Sequence, residues 1–556
     1  MRNSVLLAII CILLLPAMIK AQAPAVTRSA AFDDPEYGSG RLLLTSNGNT
    51  LYFQFTRRKG IAVTVYDPQR QAAPLVHNPI HSWSNWRMDE ASLKGVFEMN
   101  GQAVVFMEKE IKRDLNLYRF IFDIQSGKLL QEDLVESIHM PGIILMPTGE
   151  FLSKFYVRKD PASAYYAIAI FNERKGPNGQ RMKVTHYTPA HQVISTAEYV
   201  STADIHQHVV FLDMYVNKDR FVSLASYHYR ENAISLKNAE IRLSSLQQGT
   251  SAFSHQSLDS TSDYRDVKGA LKYNQEEGNL YLLTSVHAKS VKDNNIMQQS
   301  KFAFDYALQM TIFDPLSLQI QRQYFVKHPQ LDDYVKDHLK YKNPYYGLIQ
   351  DFYINPDKTV NLLFEEIYIS EDKMSSVDSS LININGKKYS TRLGEIAVVK
   401  LDASGREINS YAIAKAQQAA VKMGMYYQNR GANGRISFPD RRPFFTSIRG
   451  FYSYQYMPAN GAIIYNDYAV NTNSTDEDYR TKKDVYHMSD ANTVLARYDG
   501  KDIRKTYLFG APSGDKEARF AELGISTYSD DGKQYATMMV ERKGRHLNAY
   551  IVWMNL

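Results

Sequence analysis

The strongest constraint on this chain is a short unit that recurs along almost its whole length. A turn rich in Asn, Gly, Asp or Lys is followed by an alternating strand, a loop and a second strand, which often ends in an aromatic or apolar residue plus Asp or Asn. The first instance is Ser46-Asn47-Gly48-Asn49 with strands over 51–55 and 61–66. The second is Asn100-Gly101 with strands over 103–107 and 117–122, and the third is Thr148-Gly149 with 151–156 and 165–171. The fourth starts at Asn217-Lys218-Asp219 with 221–227 and a less regular strand near 239–243. The fifth starts at Glu277-Gly278-Asn279 (280–286, 307–313) and the sixth at Pro356-Asp357-Lys358 (360–364, 395–401). The seventh starts at Asn460-Gly461 (462–465, 493–498) and the eighth at Asp530-Asp531-Gly532-Lys533 (535–540, 547–554). Each turn supplies residues that tolerate a tight reversal, and most of the strands show some period-two alternation.

Hairpins of this kind cannot bury an apolar face alone, so they must pack against one another. Units starting near 48, 101, 149, 218, 278, 357, 461 and 532 predict an all-β chain: a β-propeller of about eight four-stranded blades. Seven is the alternative count, because the fourth unit is irregular, and stacked sandwiches are the alternative arrangement. The eighth unit stops short of four strands, so an N-terminal segment over 25–32 is expected to supply the missing one and close the ring. The 39 tyrosines fit this reading, since a strand can pack the ring and leave the hydroxyl near water. Phe122-Asp123-Ile124-Gln125-Ser126-Gly127 and Thr527-Tyr528-Ser529 with the Asp-Asp-Gly-Lys turn after it resemble the YVTN-type propeller repeat. That resemblance implies a fold and not an activity. Near Ser529 the chain also resembles the Asp-box turn of sialidases, but Gly532 follows the second aspartate directly and no Trp comes after.

Insertions near 328–346 and 411–456 break the rhythm. Leu331, Tyr334, Val335 and Leu339 have helical spacing, as do Ala412, Ala416, Ala419, Ala420 and Met423 within 411–427, so a short helix is expected in each.

The N-terminus has the layout of a bacterial-type secretory signal: Arg2, an apolar run from Val5 to Ile19, then Ala21-Gln22-Ala23. Residues 1–23 are expected to be removed, with cleavage after Ala21 as the alternative, leaving a propeller over 24–556 in the periplasm or outside the cell. The apolar run is too short for a spanning helix and Pro16 interrupts it. The single cysteine, Cys11, lies inside that run and not at the cut, which argues against lipidation. The mature chain then has no cysteine, which excludes disulfides, thiolate zinc sites and a cysteine nucleophile. Loss of Arg2 and Lys20 lowers the net charge from +6 to a near-neutral value. No transmembrane segment, no nucleic-acid partner and a monomer are expected.

The catalytic residues are unknown from sequence: there is no nucleophile elbow, His-Glu-x-x-His, Walker loop or dinucleotide fingerprint. Only three Trp are present, so the Trp-rich repeats of quinoprotein dehydrogenases are absent, and no cofactor is predicted. A divalent metal is considered at Asp204, His206 and His208, which would share one face of a strand. Trp83, Trp86 and Arg87 suit stacking on a sugar ring with polar contacts to its hydroxyls. Arg441, Arg442 and Arg449, among aromatics, suit an anionic glycan or a protein partner. The acidic run Asp476-Glu477-Asp478 reads as a solvated turn. The expected function is an exported binding or scaffold module recognising a glycan or protein partner. The alternative is a carbohydrate-active hydrolase or lyase using carboxylates around the central channel.

Overall fold

In the computed structural model the described residues are 25–33, 39–56, 60–82, 91–112, 114–139, 153–172, 179–200, 206–231, 236–259, 267–287, 298–299, 304–372, 388–419, 424–426, 452–474, 482–514 and 517–555. The repeats fold as eight antiparallel sheets, whose main strands pair in chain order in all but the last, which is shared between the two ends of the chain. Blade 1 comprises Ser39–Leu44, Thr50–Thr56, Gly60–Tyr66 and Val76–Asn78; blade 2 comprises Ala91–Met99, Gln102–Ile111, Asp114–Asp123 and Leu129–His139. Blade 3 is Ser153–Lys159, Tyr166–Asn172, Gln180–Tyr187 and Val193–Val200, and blade 4 is His208–Asn217, Phe221–Glu231, Leu236–Gln247 and Ser254–Asp259. Blade 5 is Gly269–Asn274, Asn279–His287, Phe304–Phe313 and Ile320–Phe325; blade 6 is Leu348–Ile354, Val360–Asp372, Lys388–Leu401 and Glu407–Ile413. Blade 7 is Tyr454–Met457, Ala462–Asp467, Asn492–Tyr498 and Ile503–Tyr507. Blade 8 takes Glu517–Tyr528, Gln534–Lys543 and His546–Asn555 from the end of the chain and Val26–Arg28 from its start.

Fourth strands such as Ile320–Phe325 are largely exposed, which places them at the rim. The faces of the blades carry the core. Apolar clusters join blades 1 and 2, 2 and 3, 3 and 4, 6 and 7, 7 and 8, and 8 and 1, while one larger cluster joins blades 4, 5 and 6. The ring is therefore continuous. Antiparallel pairing puts the turns between first and second strands on one face of the disc. The loops between second and third strands, and those entering each next blade, lie on the other, here called the upper face. Turn glycines such as Gly461 (φ +67°) and Gly532 (φ +69°) sit in the left-handed region that other residues disfavour.

The N-terminal strand closes the ring as the repeat requires. Val26 lies opposite Met554, Thr27 opposite Trp553 and Arg28 opposite Val552. The Ser29 amide donates to the Ile551 carbonyl at 2.9 Å, and the Ile551 amide donates to Ser29 Oγ at 3.0 Å. Trp553 crosses to blade 1: its Nε1 donates to Thr50 Oγ1 at 2.9 Å and its ring meets Tyr66 edge-on at 5.3 Å.

Three details differ from, or refine, the sequence reading. The helix expected after blade 5 is Pro329–Leu339, with Leu331, Val335 and Leu339 buried. Its first amides are capped from blade 6, where the Glu407 carboxylate accepts from Gln330 N at 2.6 Å and Leu331 N at 2.9 Å. The second expected helix is not one over its described residues. Tyr411 and Ala412 end the strand Glu407–Ile413, and Ala419 lies in the short strand Gln417–Ala419 against blade 6. Small residues there allow close approach to the sheet, and the helical spacing was coincidental; Ala420 and Met423 lie outside the described residues. The third repeat is offset by one strand. Its two expected strands are the first and second of blade 3, joined by a turn in which Asp160 accepts from the Ala162 amide at 3.0 Å. That Asp-Pro-Ala-Ser turn has no glycine or asparagine to mark it.

Removing residues 25–33 should expose the edge of His546–Asn555, cost about 3–5 kcal/mol at roughly 1 kcal/mol per lost bond, and promote association through the open edge. Thermal melts and light scattering on the truncated chain check both expectations.

Candidate functional site

Side-chain alternation makes the space between blades 3 and 4 unlike its neighbours. On the second strand of blade 4, Phe221, Ala225, Tyr227 and Tyr229 join the apolar cluster shared with blade 5. Val222 and Leu224 face blade 3, and so does Leu246 on the third strand. The alternates that continue this face upward are polar: Ser226 and His228 on one strand, Ser244, Arg242 and Glu240 on the next. The wedge is therefore apolar below and lined by imidazole, guanidinium and carboxylate groups toward the upper face.

His206, just ahead of the first strand of blade 4, completes the cluster. Its ring lies 5.4 Å from that of His228, and its Nε2 is 3.9 Å from Glu240 Oε1. Arg181, buried in blade 3, fixes this entry by donating to the carbonyls of His206 at 2.6 Å and Gln207 at 2.9 Å. Glu240 is ion-paired with Arg242, whose guanidinium lies 4.9 Å from the centre of the Tyr199 ring. Tyr199 also meets the rings of His228 and His255 edge-on, each at 5.7 Å. Ser226 Oγ lies 2.8 Å from His228 Nε2, and Ser244 Oγ 2.8 Å from His255 Nδ1. Burial, then the neighbouring Arg242, His206, His255 and Arg181, hold His228 well below the usual imidazole range; burial and Arg242 lower His255. Both rings are thus neutral near pH 7, with lone pairs available.

Ligand atoms of His206, His228 and Glu240 all lie within 4.8 Å of one another. This differs from the one-strand set read from the sequence. His208 turns to the blade 5 side, where its ring stacks on Tyr229 at 4.7 Å and 9°. His206 precedes the strand, so the period-two rule does not carry back to it, and Asp204 lies outside the described residues. Trp83, Trp86, Arg87, Arg441, Arg442 and Arg449 also lie outside the described residues, as do Asp476, Glu477 and Asp478. His228, Glu240 and Arg242 were missed because they fall in the irregular fourth repeat. A signal existed: Ser226-Tyr227-His228-Tyr229 and Glu240-Ile241-Arg242 alternate polar with apolar residues in otherwise buried strands.

A second polar cluster lies at the upper end of blade 6. Lys415 Nζ is 2.6 Å from Glu365 Oε1 with both side chains fully buried, and Ser453 Oγ donates to the same oxygen at 2.5 Å. On the adjoining bulge Glu366 hydrogen-bonds Glu395. Tyr341, following the helix, donates to Glu395 Oε2 at 2.7 Å and Tyr345 donates to the Glu395 carbonyl at 2.7 Å. A Cβ at Gly394 would come within 2.5 Å of Glu366 Oε2, so glycine makes the carboxylate pairing possible. Burial first, then Glu395, raises the Glu366 carboxyl well above its ordinary value, which favours its protonated form. These groups satisfy one another inside the blade, and Glu395 is only 1% exposed. The cluster ties the helix and the start of blade 7 to blade 6.

No family model and no curated protein match the sequence. Among solved structures the chain is similar to a polysaccharide lyase, with 10% identity over 83% of this chain and 90% of that one and a TM-score of 0.36. It is also similar to an ulvan lyase described as a new family of polysaccharide lyase (10% identity, 69% and 87% covered, TM-score 0.36). Hydrazine synthase of Kuenenia stuttgartiensis is a third (10% identity, 69% and 97% covered, TM-score 0.30). Likenesses this distant say nothing about activity. Among the described residues no helix is long and apolar enough to cross a membrane.

Lys415→Met should destabilise the protein by about 3–5 kcal/mol, because it strands the buried Glu365 carboxylate; chemical denaturation measures the loss. Glu366 titrates with the opposite sign to an ordinary surface carboxylate. Its folded-state pKa is raised, so its contribution is complete below the unfolded-state value and is lost as pH rises through the folded one. Glu366→Gln should therefore flatten the fall in melting temperature as pH rises above the ordinary carboxyl range, read from melts of both proteins across pH.

Proposed function

We propose that this chain is an exported β-propeller that binds a glycan bearing an acidic group, in the upper cleft between blades 3 and 4. The observation that carries the reading is the switch of that wedge from apolar packing to a cluster holding Arg242, Tyr199 and three histidines. Structural packing alone would be served by continuing Val222, Leu224 and Leu246 upward with apolar residues, as the other face of the same blade does. Arg242 is held between the Tyr199 ring and Glu240, so its remaining N–H groups are preoriented. A planar guanidinium fixed in this way matches a carboxylate or sulfate group with two parallel hydrogen bonds. Neutral imidazoles beside it can donate to or accept from sugar hydroxyls. Export rests on the N-terminal layout of Arg2, the apolar run and Ala21-Gln22-Ala23. Catalysis through paired carboxylates is the weaker reading, since Glu366 and Glu395 are engaged with each other and with Tyr341.

Calorimetric titration of the purified protein with acidic and neutral polysaccharides tests this. Binding confined to the acidic ones, weakened about tenfold or more by Arg242→Ala (about 1.4 kcal/mol) and by added salt, is expected. Equal binding of neutral polysaccharides, or an unaltered affinity in Arg242→Ala, would refute the site.

A further inference from the structure

We infer that His206, His228 and Glu240 form a binding site for one divalent metal ion of the zinc class. Three independent features converge on it. Their ligand atoms already lie within 4.8 Å of one another, close enough for one ion to reach all three after small side-chain adjustments. His228 is 1% exposed, and its Nδ1 is buried with no hydrogen-bond partner among the described residues. A buried ring nitrogen left unmet costs free energy unless something occupies it. The other nitrogen, Nε2, sits 2.8 Å from Ser226 Oγ. With its proton on Nε2 donated to that hydroxyl, Nδ1 carries the lone pair, and an outer hydrogen bond of this kind fixes the tautomer of metal-bound histidines.

The neighbours also select the ion. Arg242 is paired with Glu240, so the carboxylate is partly neutralised and an ion bound chiefly through oxygen gains little here. Two imidazole nitrogens instead favour zinc, copper or nickel over calcium or magnesium. Three protein ligands leave a fourth tetrahedral position for water or for a ligand oxygen. The inference does not depend on a glycan occupying the cleft, and it differs from the one-strand set because His208 takes no part.

The test uses tag-free, full-length exported protein, stripped with a chelator and titrated with Zn²⁺ by calorimetry, then with Co²⁺ while visible absorption is recorded. One equivalent of each ion should bind, with Co²⁺ giving the intense visible bands of a tetrahedral nitrogen and oxygen site. Glu240→Gln and His228→Ala should each weaken Zn²⁺ binding at least about tenfold, and Ser226→Ala about tenfold through the outer hydrogen bond. His208→Ala should leave it unchanged. Glu240 is partly exposed, so Glu240→Gln decides the matter should His228→Ala fail to fold by circular dichroism. Absence of a stoichiometric site, or unchanged affinity in Glu240→Gln, overturns the inference. Acidic-glycan binding measured with chelator present separates the two proposals: retained binding with no metal site would leave the glycan reading standing alone.

Discussion

The pairing of Val26–Arg28 with His546–Asn555 is the interaction on which the remaining structure depends. Eight blades arranged in a circle have no natural end, and each blade presents an apolar face to the next. Without closure, blades 1 and 8 would each leave one such face, and an open strand edge, in water. The chain solves this by splitting blade 8 between its two termini, so that the rim strand comes from the start of the chain and the inner three from its end. Trp553 then spans the joint, hydrogen-bonded to Thr50 and packed on Tyr66 of blade 1. With a single cysteine in its sequence the chain can form no internal disulfide, so it depends on this noncovalent clasp.

Closure also constrains where polar chemistry can be placed. Each wedge between blades must be filled along its depth, and alternation leaves only every second residue of a strand for a given wedge. The wedge between blades 3 and 4 keeps its base apolar through Val222, Leu224 and Leu246 and devotes its upper part to histidine, arginine and glutamate. That arrangement puts apolar packing and a polar cluster on the same face of a single strand. Arg181 illustrates the coupling: it is buried, yet it is used to hold the backbone that presents His206.

Blade 6 uses buried charge differently. Lys415 and Glu365 neutralise each other out of water, and Glu366 hydrogen-bonds Glu395. The insertions around this blade bring Tyr341 and Lys415 to the same place from opposite sides, one after the helix and one after the fourth strand. Residues 424–426 return to the first strand of the blade, where the Tyr426 amide donates to the Ile349 carbonyl at 3.0 Å. Polar groups here act as joints between irregular segments and the regular sheet, because such segments cannot satisfy their own backbone groups as strands do.

Local chemistry determined much of the fold, and it did so through turns and alternation. Asn460-Gly461 and Asp530-Asp531-Gly532-Lys533 mark real hairpins because glycine accepts the left-handed backbone of a tight reversal; Asn217-Lys218-Asp219 marks one too, although there Lys218 takes that backbone (φ +44°). The missing fourth strand of the last unit pointed to the N-terminal segment for the same reason that the structure uses it: an unpaired edge must be covered. The Asp160 turn was passed over as a unit start because it lacks the Gly or Asn of the others, and the alanines after Tyr411 were misread because strand pairing with blade 6 overrode their helix preference. The geometry of the polar cluster was less legible. His206 was singled out, but its partners are 22 and 34 residues away on two other strands, and only the pleat and pairing register of blade 4 bring them to one wedge. Periodicity fixes which side of a strand a residue occupies; which distant residues share that side is decided by strand pairing and by the neighbouring blade.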